Sequence, residues 1–500
     1  MAEILPFQRP LRPVLPTIVG NFDYRAFEAL LKEIDQLLLA SGVERLFIER
    51  SLEHTRLEKG GALRPRDWHT ATKHAIRALR CTLLKMFLNE DYRGLSRRLA
   101  ECPLFQWFCN LDELGAVRVP GKSTLNRYAH WLPGEEMQAI TGALIKMAAS
   151  NTPEGSSPIG LANAVELDLF WMDSTAIKAN IHFPVDWVLL RDAVRTLVKA
   201  ITLIRKHGLR HRIPSPEKFL SEINKLSMEM TQCRRKAESK RIRKRALRKM
   251  KQLVDIVAAH ARRYHQLLEQ SWKQTDWSRT QAEVTLKRIE SVLKKLPAAK
   301  KQAHERIIGE RQVANADKLL SLYEEDVHVI VRGKAGAEVE FGNTLFFAEQ
   351  ADGLIVDHVL FYGQAPSDAK CLKPAVKRIE ALTGKPVAGV IADRGFESKT
   401  NRDFLHARGA FNGICPKSPQ ELQERQQDGL FKTLQKRRAQ TEGRVGILKN
   451  KFLGKLLKAK GYANRAMAIH WAVLAHNLWI LARLKTLEES PSTAQRPKAA

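Results

Sequence analysis

Three acidic residues, far apart in the chain, stand where chemistry could be done. Asp393 closes the apolar run GVIA and opens DRGFESKTN. Asp173 closes AVELDLFWMD, in which Val165, Leu167, Leu169 and Trp171 alternate onto its own face. Glu442 lies in KRRAQTEGRVGILKNK, a helical pattern. At about 100° per residue, Arg438 and Lys449 fall within about 40° of it, so one acid is flanked by two bases. An ionised carboxylate among apolar neighbours costs several kcal/mol unless paired, and two that converge repel each other. A divalent cation removes that conflict, and hard oxygen ligands suit Mg²⁺ or Mn²⁺.

Plainer readings compete with this one. Each aspartate taken singly reads as a strand-end turn or helix-cap residue. Arg438 and Glu442 read as an i,i+4 pair worth only a few tenths of a kcal/mol. Gly443 and Gly446 weigh against a purely structural helix, since each costs about 1 kcal/mol in a helix interior. They would let another backbone or a ligand approach beside Glu442. Gly395 is expected to turn the chain sharply away from Asp393, and Ser398 to cap the next helix.

The elements that must position these residues follow from pattern. Residues 21 to about 135 have helical spacing; Leu125, Tyr128 and Leu132 share one face, which leaves Lys122 and Arg127 outward, as in a helix-turn-helix module or in a plainly packed helical pair with a basic outer face. From Trp187 to about residue 320 helical spacing returns, with a seam at Leu190, Val194, Leu197, Ile201 and Ile204 that resumes at Phe219, Ile223, Leu226 and Met230. Ser215-Pro216-Glu217 reads as a helix start. Beyond residue 325 the runs VHVIV, AEVEFGNTLFFAE and GLIVDHVLFYG alternate as strands, the last two joined by the Asp352-Gly353 turn. Helix, strand, helix, strand and helix follow, then an apolar helix and a polar tail. This order predicts an α/β fold, a mixed sheet with helices on its faces, whose ligands gather beyond the carboxyl ends of the strands.

Charge points to the partner. The 500 residues include 83 Lys+Arg against 54 Asp+Glu, a net charge of +29, which calls for a polyanion. Residues 234–251 concentrate it, with eleven basic side chains against one acidic. Ordinary solvated helices interleave both signs, so Arg241, Lys244 and Arg245 are read as part of a phosphate-tracking arm rather than a solvated face. The six cysteines include no C-x-x-C pair and read as free thiols. The proline-punctuated start is no signal peptide, and no run of apolar residues is long enough to span a membrane, so a cytoplasmic protein, nucleoid-associated when bound to DNA, is expected.

These residues together resemble the Asp-Asp-Glu (DDE) transposases of bacterial insertion sequences, whose catalytic core has a ribonuclease H-like fold. DSTAIKANIHFPVD is similar to a first-aspartate motif of one branch, matching at Asn180, Ile181, His182, Pro184 and Asp186 and departing at Phe183 and Val185. KAGAEVEFGN looks like the hairpin after the insertion, and ADRGFESKTN resembles the second-aspartate motif. Arg438, Glu442 and Lys449 match Arg-(3)-Glu-(6)-Lys, although the Tyr that opens that signature is Gln435 here.

The resemblance implies cleavage and strand transfer of double-stranded DNA, at terminal inverted repeats and target, by a homo-oligomer. It implies two Mg²⁺ or Mn²⁺ ions per site, Asp173 bridging them and Asp393 and Glu442 binding one each. Arg438 and Lys449 would clamp phosphates, and His182 and Asp186 would either support the ligands or form a buried, hydrogen-bonded structural pair. The expected organisation is a flexible segment 1–20, a helical N-terminal domain 21–160, a catalytic core at 161–187 and 326–485 split by a basic helical insertion 188–325, and a disordered tail 486–500. A nuclease or resolvase that cuts without joining, and a degenerate DNA-binding relative, remain as alternatives.

Overall fold

Apolar residues at three- and four-residue steps make the first part of the chain helical. Its helices are α1 (Phe22–Ala40), α2 (Val43–Glu58), α3 (Pro65–Leu88), α4 (Tyr92–Glu101), α5 (Pro103–Cys109), α6 (Lys122–Tyr128) and α7 (Gly134–Ala148). A two-residue pairing of β1 (Asp112–Glu113) with β2 (Ala116–Val117) interrupts them. Leu125, Tyr128 and Leu132 are buried as their spacing predicts, and Lys122 and Arg127 face solvent. The computed structural model describes residues 12–113, 116–152, 157–233, 238–334, 337–454 and 457–488. Residues 1–11 and 489–500, where most of the expected flexible ends fall, and 234–237 of the basic run lie outside the described residues.

The sheet is built from β3 (Leu169–Lys178), β4 (His328–Lys334), β5 (Ala337–Glu349), β6 (Ile355–Leu360), β7 (Gly389–Ala392) and β8 (Phe411–Ile414). β3 is central: β5 runs antiparallel on one side, and β7, followed by β8, runs parallel on the other. β4 and β6 both pair antiparallel with the far edge of the long β5. The path β6-β5-β3-β7-β8 is the ribonuclease H-like arrangement that the resemblance implied. Phe170, Trp171 and Met172 are all buried, so β3 is covered on both faces. Val165 and Leu167 are buried, but the strand begins only at Leu169.

Between β3 and β4 stands an all-helical insertion of α8 (Asp186–Lys206), α9 (Pro216–Gln232), α10 (Ser239–Ser271) and α11 (Arg279–Ala303). Pro216 occupies the first turn of α9, and Ser278 with Gln281 forms a reciprocal cap on α11. The predicted seam residues of α8 and α9 are buried in a hydrophobic cluster confined to the insertion. Each such side chain contributes about 2 kcal/mol, more than the insertion's exposed ion pairs at about 1 kcal/mol or less.

The remaining helices are α12 (Asp368–Thr383), α13 (Lys399–His406), α14 (Pro419–Arg425), α15 (Gly429–Ile447) and α16 (Tyr462–Glu488). α16 lies against α1, α3, α7 and β6, and one continuous hydrophobic cluster runs from Leu31 through the sheet to Ala482. The N-terminal helices therefore share a core with the sheet, while the insertion has its own. Among the described residues no helix is long and apolar enough to cross a membrane, and all six cysteines are free.

Candidate active site

Register brings the two aspartates together. β3 and β7 are parallel with Met172 opposite Ala392, so Asp173 and Asp393 come next at the same level of the sheet. β7 stops there, whereas β3 runs on along β5 to Lys178. Asp173 thus lies inside a strand rather than at its end, and the space beside it opens because its neighbour terminates. A cavity of about 1030 Å³ occupies that space, and Asp173, Asp393, Arg438, Glu442 and Lys449 all line it.

Asp173 is half-buried, and its Oδ1 accepts the Ser174 backbone N–H at 2.7 Å. Burial, joined by the nearby charges of Asp393 and Glu442, raises its carboxyl to about 6 despite that bond and Arg438. Asp393 does cap a turn: its Oδ1 accepts the Gly395 N–H at 2.8 Å and starts the 3₁₀ turn Arg394–Phe396. The turn reading and the cleft reading are both realised by one side chain.

Gly395 has a different purpose from the one expected. It is not among the glycines with positive φ, so no special turn requires it. A Cβ there would stand 2.8 Å from Asp368 Oδ2 and 3.0 Å from Asp393 Oδ1, so its bare backbone admits two carboxylates on one side. Asp368, in the first turn of α12, is a fourth acid lining the cleft, and its Oδ1 accepts from Ser174 Oγ at 2.7 Å. The sequence reading missed it, because Ser-Asp before an apolar helix is an ordinary helix start. Ser398 caps α13 as predicted, accepting from the Asn401 N–H.

Glu442 stands on α15, its side chain 58% exposed, and pairs with Arg438 at 3.4 Å. Among the described residues nothing lies within 4 Å of where a Cβ would stand at Gly443 or Gly446, so the surface there is open to a ligand. The α-helix gives way to a π turn over Leu448–Phe452. Lys449 therefore departs from the single helical face drawn from the sequence: its Nζ donates to the Ala176 carbonyl at 2.8 Å and Thr175 Oγ1 at 3.3 Å on β3.

The opposite side of α15 is fastened hard. Glu349, fully buried at the end of β5, accepts at Oε1 from Arg437 (2.7 Å), Thr441 (2.6 Å) and Arg444 (3.1 Å). Arg437 also stacks 3.9 Å from the Trp171 ring centroid, and Trp171 Nε1 donates to the Leu434 carbonyl. Arg444 packs over the β5–β6 turn, where Gly353 has φ +101 and a Cβ would come within 2.3 Å of Arg444 Nε. Gln435, which stands in place of the signature Tyr, donates to the carbonyls of Ala392 and Gly413 and ties α15 to the ends of β7 and β8.

Two expected site residues are elsewhere. Asp186 is buried and held by Arg306 and Gln302 across the mouth of the insertion, a structural bond rather than support for the cleft. His182 is exposed and lines a separate cavity. Arg241, Lys244 and Arg245 lie on α10, ion-paired with Glu238, Glu310 and Glu229 respectively.

Among the described residues no three His, Cys, Asp or Glu side chains converge closely enough to make a preformed metal site. The donor set nevertheless suits a hard divalent cation. It is all carboxylate oxygen, and Asp173, raised first by burial and then by the charges of Asp393 and Glu442, is a carboxyl that a cation would hold ionised. The family model described as Transposase DDE domain matches residues 347–478, which include Asp368, Asp393, Arg438, Glu442 and Lys449 and exclude Asp173. No curated protein matches the chain, and no solved structure does.

Proposed function

We propose that the chain, which carries a transposase DDE domain over residues 347–478, cuts DNA at the ends of a bacterial insertion sequence and joins those ends to target DNA. What carries this reading is the meeting of Asp173 and Asp393 at one level of two parallel strands, in a cleft that Glu442 also lines. Asp173, Asp393 and Glu442 would hold two Mg²⁺ or Mn²⁺ ions. When bound, such ions activate water or a 3′-hydroxyl and stabilise the leaving oxygen.

The chain's own side chains supply the rest. Arg438, beside Glu442, would neutralise a phosphate entering over the exposed face of α15. Lys449 would reach a second phosphate by leaving the Ala176 carbonyl. Asp368 would hold Ser174 and, through it, the backbone beside Asp173. Lys122 and Arg127 on α6, and Arg241, Lys244 and Arg245 on α10, would contact DNA backbone further out, the latter three by exchanging their acidic partners for phosphates. We assign DNA recognition to the N-terminal helices, regulation of the duplex path to the insertion, and chemistry to the sheet, with a homo-oligomer pairing two ends.

The test is purified protein with duplex carrying the terminal repeats that flank its coding sequence, in Mg²⁺ and in Mn²⁺. Nicking at the repeat and joining to a target plasmid are expected. Asp173→Asn, Asp393→Asn and Glu442→Gln should each slow both by about 100-fold or more without lowering the melting temperature. Nicking by Asp393→Asn at the wild-type rate would sink the assignment. Nicking without joining would favour the nuclease reading.

A further inference from the structure

Where the chain leaves β3 it borders a second cavity of about 350 Å³, enclosed by residues 180–185, one face of α8 and residues 320–324. Arg191, Arg195 and Lys199 turn into it at four-residue steps along α8, and Lys460 joins them from the segment before α16. Like charges at that spacing cost a helix a few tenths of a kcal/mol each, so the row does not serve helix stability. Two acids also border the cavity and both are committed: Asp192 accepts from Arg191 at 3.1 Å, and Glu324 from Arg465 at 2.6 Å and the Gly461 N–H at 2.8 Å. Arg195, Lys199 and Lys460 are exposed and have no acidic partner among the described residues. Arg241, Lys244 and Arg245, which the sequence singles out for charge, each have one.

The two cavities are continuous along the chain. Lys178 lines the cleft, Ala179 bridges to Leu457, and Leu457 lines the cleft while Lys460 lines the second cavity. Seven residue steps of extended chain lead from Asp173 to Asn180 at the near edge of the second cavity, roughly 23 Å, or about seven nucleotides of one DNA strand.

We infer that Arg195, Lys199 and Lys460 form a second binding site for the phosphate backbone of duplex DNA, engaging the same duplex about seven nucleotides from the phosphate held in the cleft. This rests on the cleft being the place where DNA is cut. The cations would displace counterions and fix the angle at which the duplex leaves the cleft, without reading bases.

The experiment measures binding of the full chain to a 40-base-pair duplex of arbitrary sequence by fluorescence anisotropy across a NaCl series, without divalent metal. Arg195→Ala/Lys199→Ala should weaken binding about tenfold near 100 mM salt and flatten the slope of log K against log salt by about 2. Arg262→Ala/Arg263→Ala removes equal charge from an exposed face of α10 away from either cavity. It should stay within about twofold of wild type. The charge-conserving exchange Arg195→Lys/Lys199→Arg should restore both affinity and slope. An unchanged slope in the alanine pair, or an equal loss in the α10 pair, overturns the inference and leaves the proposed function standing if the wild-type chain still cuts DNA. A wild-type chain that neither binds nor cuts overturns both.

Discussion

At Gly395 the smallest side chain carries a large constraint. Asp368 Oδ2 and Asp393 Oδ1 crowd the position a Cβ would take, and Asp393 Oδ1 is held there by the Gly395 N–H itself. Gly395→Ala would push one carboxylate aside, and the bond that starts the 3₁₀ turn prevents Asp393 from yielding freely. We expect DNA nicking to fall by about tenfold or more while stability changes by about 1 kcal/mol or less, read by a nicking assay beside thermal melting. A wild-type rate for Gly395→Ala would show that the crowding is without consequence. Asp173, Asp393 and Glu442 could be singled out only together and by the resemblance of their motifs, since each alone reads as a turn, a cap or an i,i+4 partner. Asp368 could not, since its meaning comes from a register that places it beside residues far away in the chain.

For elements, the instructive case is α15. Its cleft-facing side is exposed and its other side is bonded through Glu349 to β5, so the helix position is set from behind. Glu349→Gln would leave Arg437 and Arg444 without their shared anion in a buried place, a loss of about 3 kcal/mol. Hydrogen exchange should then quicken in α15 more than in α8, whose hydrophobic cluster is separate, while global melting drops. Equal exchange in both helices would contradict this account. The helix itself was readable from periodicity, but Glu349 was not, because an acid ending the strand FFAE next to a turn reads as solvent-facing. The π turn after Ile447 also escapes a 100° wheel, and it is what carries Lys449 onto β3.

For the whole molecule, burial makes acid the adversary. His358 on β6 and His470 on α16 share a 2.9 Å hydrogen bond, and His476 lies fully buried one turn or more further on. Burial lowers His358 to about 4, with Arg378 adding to it; His470, beside His358, to about 3; and His476 to about 4, with Asn477 and Glu349 opposing and Arg444 and Lys451 reinforcing. All three are neutral in the folded state at neutral pH. Below the ordinary histidine value of about 6.5 the unfolded chain gains protons that the fold refuses, so stability is full above that pH and falls as pH drops towards 4, by a few kcal/mol per histidine in order of magnitude. A melting temperature flat between pH 7 and 5 would refute this. Replacing His358 and His470 together with Leu and Phe should shrink the slope. That the N-terminal helices, sheet and α16 form a single cluster could not be read from the sequence, since periodicity tells which face is apolar but not what covers it.

The bond of Asp186 to Arg306 and Gln302, described above as structural, joins the first residue of α8 to the end of α11 and the π turn after it. The start of α8 is therefore laced to the end of α11, which closes the helical loop at one doorway, and the chain then returns to the sheet through Leu320, packed with Val327 and Val329, and Glu324, paired with Arg465 of α16. The helices behind that doorway could be lengthened or shortened while the strand register that aligns Asp173 with Asp393 stays as it is.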